Sequence, residues 1–136
     1  MIVLDASLMV EWLLGDNRAS VARDAYEALA GEPVRVPSHW PLEVSNALRS
    51  EIRAGKLAVA GFHRIIEALD ALDVRVDTPM NLDEITPLAQ FATTHELTAY
   101  DAAYVQLALQ RGATLATLDG AMRKAARRLQ IVLLPE

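Results

Sequence analysis

The chain has 136 residues, 52% apolar and 23% charged, with a formal net charge of −5. This balance describes one folded domain spanning 1–136 and excludes a disordered chain, which needs far less apolar content. The absence of cysteine excludes disulfide scaffolds, zinc ribbons and thiol nucleophiles.

In chain order, Ile2-Val3-Leu4 reads as a short first strand. Met1 leads into it without a basic leader, and no apolar run approaches the ~18 residues of a membrane span, so a cytoplasmic protein is expected. From Ser7 to Leu14, Leu8 and Trp12 fall four apart, a helical interval. Arg18 to Ala30 follows the cap candidates Asp16 and Asn17 and stops at Gly31, which predicts a second helix. Val34-Arg35-Val36 is the second strand, and Ser38 is expected to cap a helix running towards Gly55. Phe62, Ile65, Ile66, Leu69 and Leu72 keep the 3.6-residue period ahead of a third strand, Val74-Arg75-Val76. A helix starts near Asn81, with Asp83 and Glu84 as caps, and contains Pro87, which kinks or splits it. Thr98 caps a helix ending at Gly112, Thr114-Leu115-Ala116 is the fourth strand, Asp119 caps the last helix, and Ile131-Val132-Leu133 is the fifth strand.

Strands alternating with helices predict an α/β fold with a mostly parallel sheet. Helices that return between parallel strands begin at the sheet's C-terminal edge. Strand ends and first helical turns therefore gather on one rim, where open α/β sheets bind ligands.

Four acids fall on that rim: Asp5 after the first strand, Glu43 one turn into the Ser38 helix, Asp101 three residues after Thr98, and Asp119 at the last helix start. Each has a plain structural explanation as a cap or as a partner of a helix dipole. Their neighbours set them apart from Asp16, Asp83 and Glu84: all four lie in apolar strings, and burying a carboxylate costs several kcal/mol unless it is compensated. No basic residue lies within four positions of Asp5 or Asp101. A hard divalent cation would relieve the repulsion among them, and oxygen-only donors without Cys or His-x-x-x-His point to Mg²⁺ or Mn²⁺ rather than Zn²⁺.

Asp5-Ala6-Ser7, Pro41-Leu42-Glu43-Val44-Ser45-Asn46-Ala47-Leu48, Thr98-Ala99-Tyr100-Asp101-Ala102-Ala103-Tyr104 and Leu115-Ala116-Thr117-Leu118-Asp119 together look like the acidic signature of PIN-domain proteins. The ordered set most resembles the VapC-type ribonuclease toxins, over nearly the whole chain. Gly15-Asp16-Asn17 departs from the Pro-Glu-Glu common in that branch. The resemblance implies a three-layer α/β/α domain around a five-stranded sheet and a metal-dependent endoribonuclease. Asp5 and Asp101 would be principal Mg²⁺ or Mn²⁺ ligands, with Glu43 and Asp119 completing the site directly or through waters. Such ions bind a scissile phosphate and lower the pKa of water. It also implies a homodimer and a cognate VapB-type antitoxin that blocks the cleft.

Around the acids, Ser7, Asn46 and Thr117 are candidates to orient carboxylates or waters, against ordinary cap and turn bonding. Arg123, Lys124, Arg127 and Arg128 could grip phosphates, although a solvated face completing a helix C-terminus is the favoured reading. Tyr100, Tyr104, Trp12 and Trp40 could stack bases, with packing favoured. His39, His63 and His95 read as surface or structural residues. Leu13, Leu14, Phe62 and Ile66 are candidates for a contact surface, with core packing favoured. The competing account is a non-catalytic α/β partner-binding module whose acids are helix caps. A phosphoryl-acceptor domain lacks its lysine near the last strand, and an Asp-x-Asp phosphatase lacks its paired aspartates at Asp5-Ala6-Ser7.

Overall fold

The computed structural model describes residues 1–14 and 27–136. Five strands form one sheet: β1 (Ile2–Leu4), β2 (Val34–Val36), β3 (Val74–Val76), β4 (Thr114–Ala116) and β5 (Leu133–Leu134). Their spatial order is β3-β2-β1-β4-β5, and every neighbouring pair is parallel. Ile2 pairs with Val34 on one side and Thr114 on the other. β1 is therefore the central strand, and its three residues are all buried, as expected of a parallel strand covered on both faces.

Six helices among the described residues accompany the sheet: α1 (Ala6–Leu14), α2 (Trp40–Arg53), α3 (Phe62–Ala71), α4 (Ile85–Thr94), α5 (Ala99–Arg111) and α6 (Gly120–Arg128). The core centres on β1, with Leu8 and Met9 of α1, Trp40 and Val44 of α2, Tyr104 and Val105 of α5, and Met122 and Ala125 of α6 packed together. Leu88 and Ala92 of α4 form a smaller cluster with Ala102. The parallel α/β architecture expected from the sequence is present. The helix expected over 18–30 lies mostly outside the described residues.

Several boundaries differ, each for a local reason. The last strand is Leu133–Leu134 rather than Ile131–Leu133. Leu129 and Gln130 carry the chain out of α6, Gln130 with φ +58°, and the Ile131 amide donates back to the Ala126 carbonyl at 2.9 Å. Ile131 thus finishes the helix and does not join the ladder. Ser38 is not the cap of α2: His39 holds that position without a side-chain cap bond, and Pro41 sits in the first turn, where its fixed φ suits a helix start. The segment near Asn81 splits into a 3₁₀ turn, Leu82–Glu84, and α4. Pro87, in the first turn of α4, has no N–H to offer the Asp83 carbonyl, which favours a fresh helix start after the 3₁₀ turn over one run from Asn81. Thr98 and Asp119 cap as expected, accepting from the Asp101 amide at 3.1 Å and the Met122 amide at 2.8 Å. Gly112 ends α5 with φ +59°, a left-handed conformation that glycine adopts without a Cβ penalty.

Candidate active site

The chain leaves β1 for β2 in one direction, whereas β4 lies on the opposite side of β1. The crevice beyond the C-terminal ends of β1 and β4 is therefore the switch point of the sheet, the place where open α/β sheets receive ligands.

Asp5 stands at that point. Its amide donates to the Ala116 carbonyl at 3.0 Å, extending the β1–β4 ladder by one bond. Its side chain is almost fully enclosed, 4% exposed, and it is held by three donors. Ser7 Oγ at 2.6 Å and Thr117 Oγ1 at 2.8 Å both donate to Oδ2, and the Ser7 amide donates to Oδ1 at 3.3 Å. Such bonds offset part of the cost of burying the charge. The Thr117 hydroxyl, fully buried, also accepts from the Asp119 amide at 3.0 Å, so one side chain ties the first acid to the segment bearing the last.

Glu43 enters from the first turn of α2. Its Oε1 accepts from the Tyr104 hydroxyl of α5 at 2.9 Å. His39 Nε2, one turn earlier on α2, approaches the same oxygen at 2.8 Å, but without the alignment of a hydrogen bond. We treat that approach as a close polar contact rather than a bond. Tyr104 is fully buried. Burial first, then Glu43 and Asp5, push its hydroxyl well above the ordinary tyrosine range, so it stays a neutral donor.

Asp101, half-buried in the first turn of α5, reports on the other acids. Its carboxyl is pushed above the usual carboxylate value, first by burial, then by the charges of Asp119 and Asp5, with a smaller push from Glu43; the Thr98 hydrogen bond opposes the rise. Three acids from three other segments thus act on the Asp101 carboxyl. The four are not drawn into a tight cluster: among the described residues, no three His, Asp or Glu side chains form a group that could hold an ion.

The remaining candidates separate. Ser7 and Thr117 both touch Asp5. Asn46 is exposed one turn beyond Glu43, with its carbonyl accepting from Ser50 Oγ. Trp40 and Tyr104 belong to the core, whereas Tyr100 is 66% exposed. Leu13 packs against the core and Ile66 is exposed; the Leu14 side chain lies outside the description. The basic stretch does not act as one unit: Arg123 donates to the Thr117 and Pro135 carbonyls, both at 2.8 Å, and Lys124 lies 3.9 Å from Glu96. Burial, then the Arg127 charge, lower the Arg123 pKa.

The Tyr104 bond to Glu43 lies outside the candidates the sequence offers, and His39, the histidine nearest Glu43 in sequence, is expected there only as a surface or structural residue. The signals were spacings: Tyr104 follows Asp101 by three residues, and His39 precedes Glu43 by four, so each pair shares a helix face.

A family model described as the PIN domain matches residues 2–128. The chain is 33% identical over 130 residues to ribonuclease VapC12 of Mycobacterium tuberculosis, covering 92% of each chain. It is 34% identical over 125 residues to ribonuclease VapC3 of the same organism, covering 91% of this chain and 86% of that one. Among solved structures it is similar to PAE2754 from Pyrobaculum aerophilum, with a TM-score of 0.66 and 25% identity over 97% of this chain and 81% of that one. FitAcB from Neisseria gonorrhoeae shares the fold, with a TM-score of 0.57 and 20% identity over 98% of this chain and 96% of that one. With the strand order, the enclosed Asp5 and the family match agreeing, the chain belongs to the PIN-domain family, in its VapC-type branch.

Proposed function

We propose that this protein is a metal-dependent endoribonuclease, the toxin of a type II toxin–antitoxin pair, cutting RNA at the crevice bordered by Asp5, Glu43, Asp101 and Asp119. The observation that carries the reading is the enclosure of Asp5 at the sheet's switch point, held by Ser7 and Thr117, beside an Asp101 carboxyl pushed up by burial first and then by the charges of Asp119, Asp5 and Glu43. Like charges held together at a sheet's switch point are costly unless something positive occupies the space between them.

The donors suit a hard divalent cation. All are carboxylate oxygens, the donors that Mg²⁺ or Mn²⁺ takes directly or through retained waters. Asp5 and Asp101 would be its direct holders, with Glu43 and Asp119 completing the site. When bound, the ion supplies positive charge to the phosphate and acidifies water in the crevice. The chain's own groups supply the order. Ser7 and Thr117 fix Asp5 through both of its oxygens, which orients the carboxylate in advance. Tyr104 fixes Glu43 through a single oxygen, Oε1. Asp119 caps α6 with Oδ1.

The likeness to VapC12 and VapC3, both ribonucleases by name, supports RNA as the substrate and an antitoxin of the VapB type as partner. We propose further that the protein works as a homodimer in the cytoplasm. No helix among the described residues is long and apolar enough to cross a membrane. The competing module, with acids serving as caps, draws support from Asp119, which accepts from the Met122 amide, and from Asp5, which accepts from the Ser7 amide in the first turn of α1. It leaves the burial of Asp5 against Thr117, 112 positions away, without a purpose.

Incubating purified protein with RNA and Mn²⁺, with and without EDTA, tests the proposal. Wild type should cut in Mn²⁺ and stop in EDTA, and Asp5→Asn should not cut. Equal cutting by Asp5→Asn, or cutting undiminished by EDTA, would overturn it.

A further inference from the structure

Helix α5 presents two stripes at the rim. Asp101 and Tyr104 lie on the stripe that meets the acids. Tyr100, Ala103, Gln106 and Gln110 lie on the other, and they wall a separate cavity of about 280 Å³ completed by the segment after β3 and the start of α4. His39 is the partition. It approaches Glu43 on one side, while its ring meets Tyr100 edge-on at 5.8 Å and lines the cavity on the other.

The cavity's chemistry is that of a neutral ligand. Of its two acids, Asp77 is answered by Arg111 at 3.2 Å and Glu84 by the Asn81 amide at 2.6 Å. No lysine or arginine lines it among the described residues, so an anionic phosphate would find no counter-charge there. What remains are groups that both donate and accept, the Gln106 and Gln110 amides and the Ser38 and Thr78 hydroxyls, with Met80 and Leu88 among the apolar lining. The volume, about 280 Å³, falls just under the roughly 300 Å³ at which drug-sized ligand pockets start and suits one flat ring system. An exposed tyrosine stands at the mouth.

We infer that this cavity receives a nucleobase of the RNA beside the cut phosphate, with Tyr100 stacking on its face and Gln106 and Gln110 bonding its edge. The inference rests on the nuclease reading and adds the sequence selectivity that the carboxylates lack, since phosphate chemistry carries no base information. Unstacked bases of single-stranded RNA are read in this way, by aromatic faces and side-chain amides.

The test is cleavage of short RNAs randomised on both sides of the cut, with the new ends sequenced. Wild type should prefer one base class, purine or pyrimidine, at a position next to the cut. The Gln106→Ala/Gln110→Ala double variant should weaken that preference about tenfold, the loss expected when paired edge contacts go. Tyr100→Ala should raise KM about tenfold, and Tyr100→Phe should restore it, since the stacking face is kept. An unchanged preference in the double variant overturns the inference. So does a shift of these variants from dimer to monomer in solution mass, which would make the cavity an interface between copies. If wild type cuts no RNA, the nuclease reading fails by itself, and the cavity is then judged by titrating adenosine and cytidine against backbone amide signals. Shifts centred on Ser38, Tyr100 and Gln106 support a base site, and none at millimolar nucleoside overturns it.

Discussion

Thr117 Oγ1 donates to Asp5 Oδ2 at 2.8 Å across 112 residues of chain, joining the ends of two adjacent parallel strands where the sheet's connections diverge. The same hydroxyl accepts from the Asp119 amide. One small buried side chain therefore positions two of the four acids, and its loss should be felt in both stability and activity.

Thr117→Val keeps the shape and removes the hydroxyl. It leaves a buried carboxylate short of one donor and the Asp119 amide short of an acceptor, which should cost about 1–3 kcal/mol. Urea unfolding should show a lower midpoint at unchanged slope. Ser7→Ala should cost less, since Ser7 is exposed and water can replace its hydroxyl. An equal cost in the two variants would count against the bridging role of Thr117.

Tyr104→Phe tests the tie between α2 and α5. A hydrogen bond to a charged group contributes about 1.5–3 kcal/mol, and the lower end applies because Glu43 is partly solvated. Cleavage should fall through kcat, because Glu43 loses its fixed position. A variant with wild-type kcat would show that Glu43 needs no anchoring.

The raised Asp101 carboxyl makes a signed prediction for metal-free protein. An acid whose folded pKa lies above its unfolded value opposes folding when ionised. The penalty is absent below the unfolded value of 3.8, grows as pH rises through the folded pKa, and is complete above it. In EDTA, acidification through that window should raise the stability of wild type relative to Asp101→Asn. At neutral pH, Asp101→Asn should be the more stable of the two without metal, and the order should narrow or reverse in Mg²⁺ by mass action. A difference between the two proteins that stays constant across the acid range would contradict the electrostatic account.

Arg123 is the residue of the basic stretch with a built structural role, bonding the Thr117 and Pro135 carbonyls together. Arg123→Ala should destabilise by about 1–3 kcal/mol, and Arg123→Lys should recover little, since one ammonium cannot reproduce the two-pronged fork. Arg128→Ala, at an exposed position, should stay within about 0.5 kcal/mol of wild type. Thermal unfolding of the three variants checks the order.

The sheet was legible because its strands are short β-branched runs between helices with clear caps and stops. Buried parallel strands write themselves as apolar runs, as Ile2-Val3-Leu4 does. The fifth strand starts two residues and ends one residue later than expected, because Ile131-Val132 looks as β-prone as Leu133-Leu134. Only the three-dimensional path shows the Ile131 amide spent on the Ala126 carbonyl. The positions of the acids on one rim followed from topology. Ser7 and Thr117 are legible as candidates to orient a carboxylate, and both touch Asp5, whereas the Tyr104 bond to Glu43 is not legible, because it spans 61 residues. Arg123 looked like a surface charge because sequence does not show that two backbone carbonyls converge on it.

Mn²⁺ binding followed by water-proton relaxation tests the central claim most directly, because it needs no RNA and reads the ion itself. The account predicts saturable binding by wild type, weakened about tenfold or more in Asp5→Asn and Asp101→Asn and unchanged in Asp83→Asn. Identical titrations for all four proteins, or no binding at millimolar Mn²⁺, would contradict it.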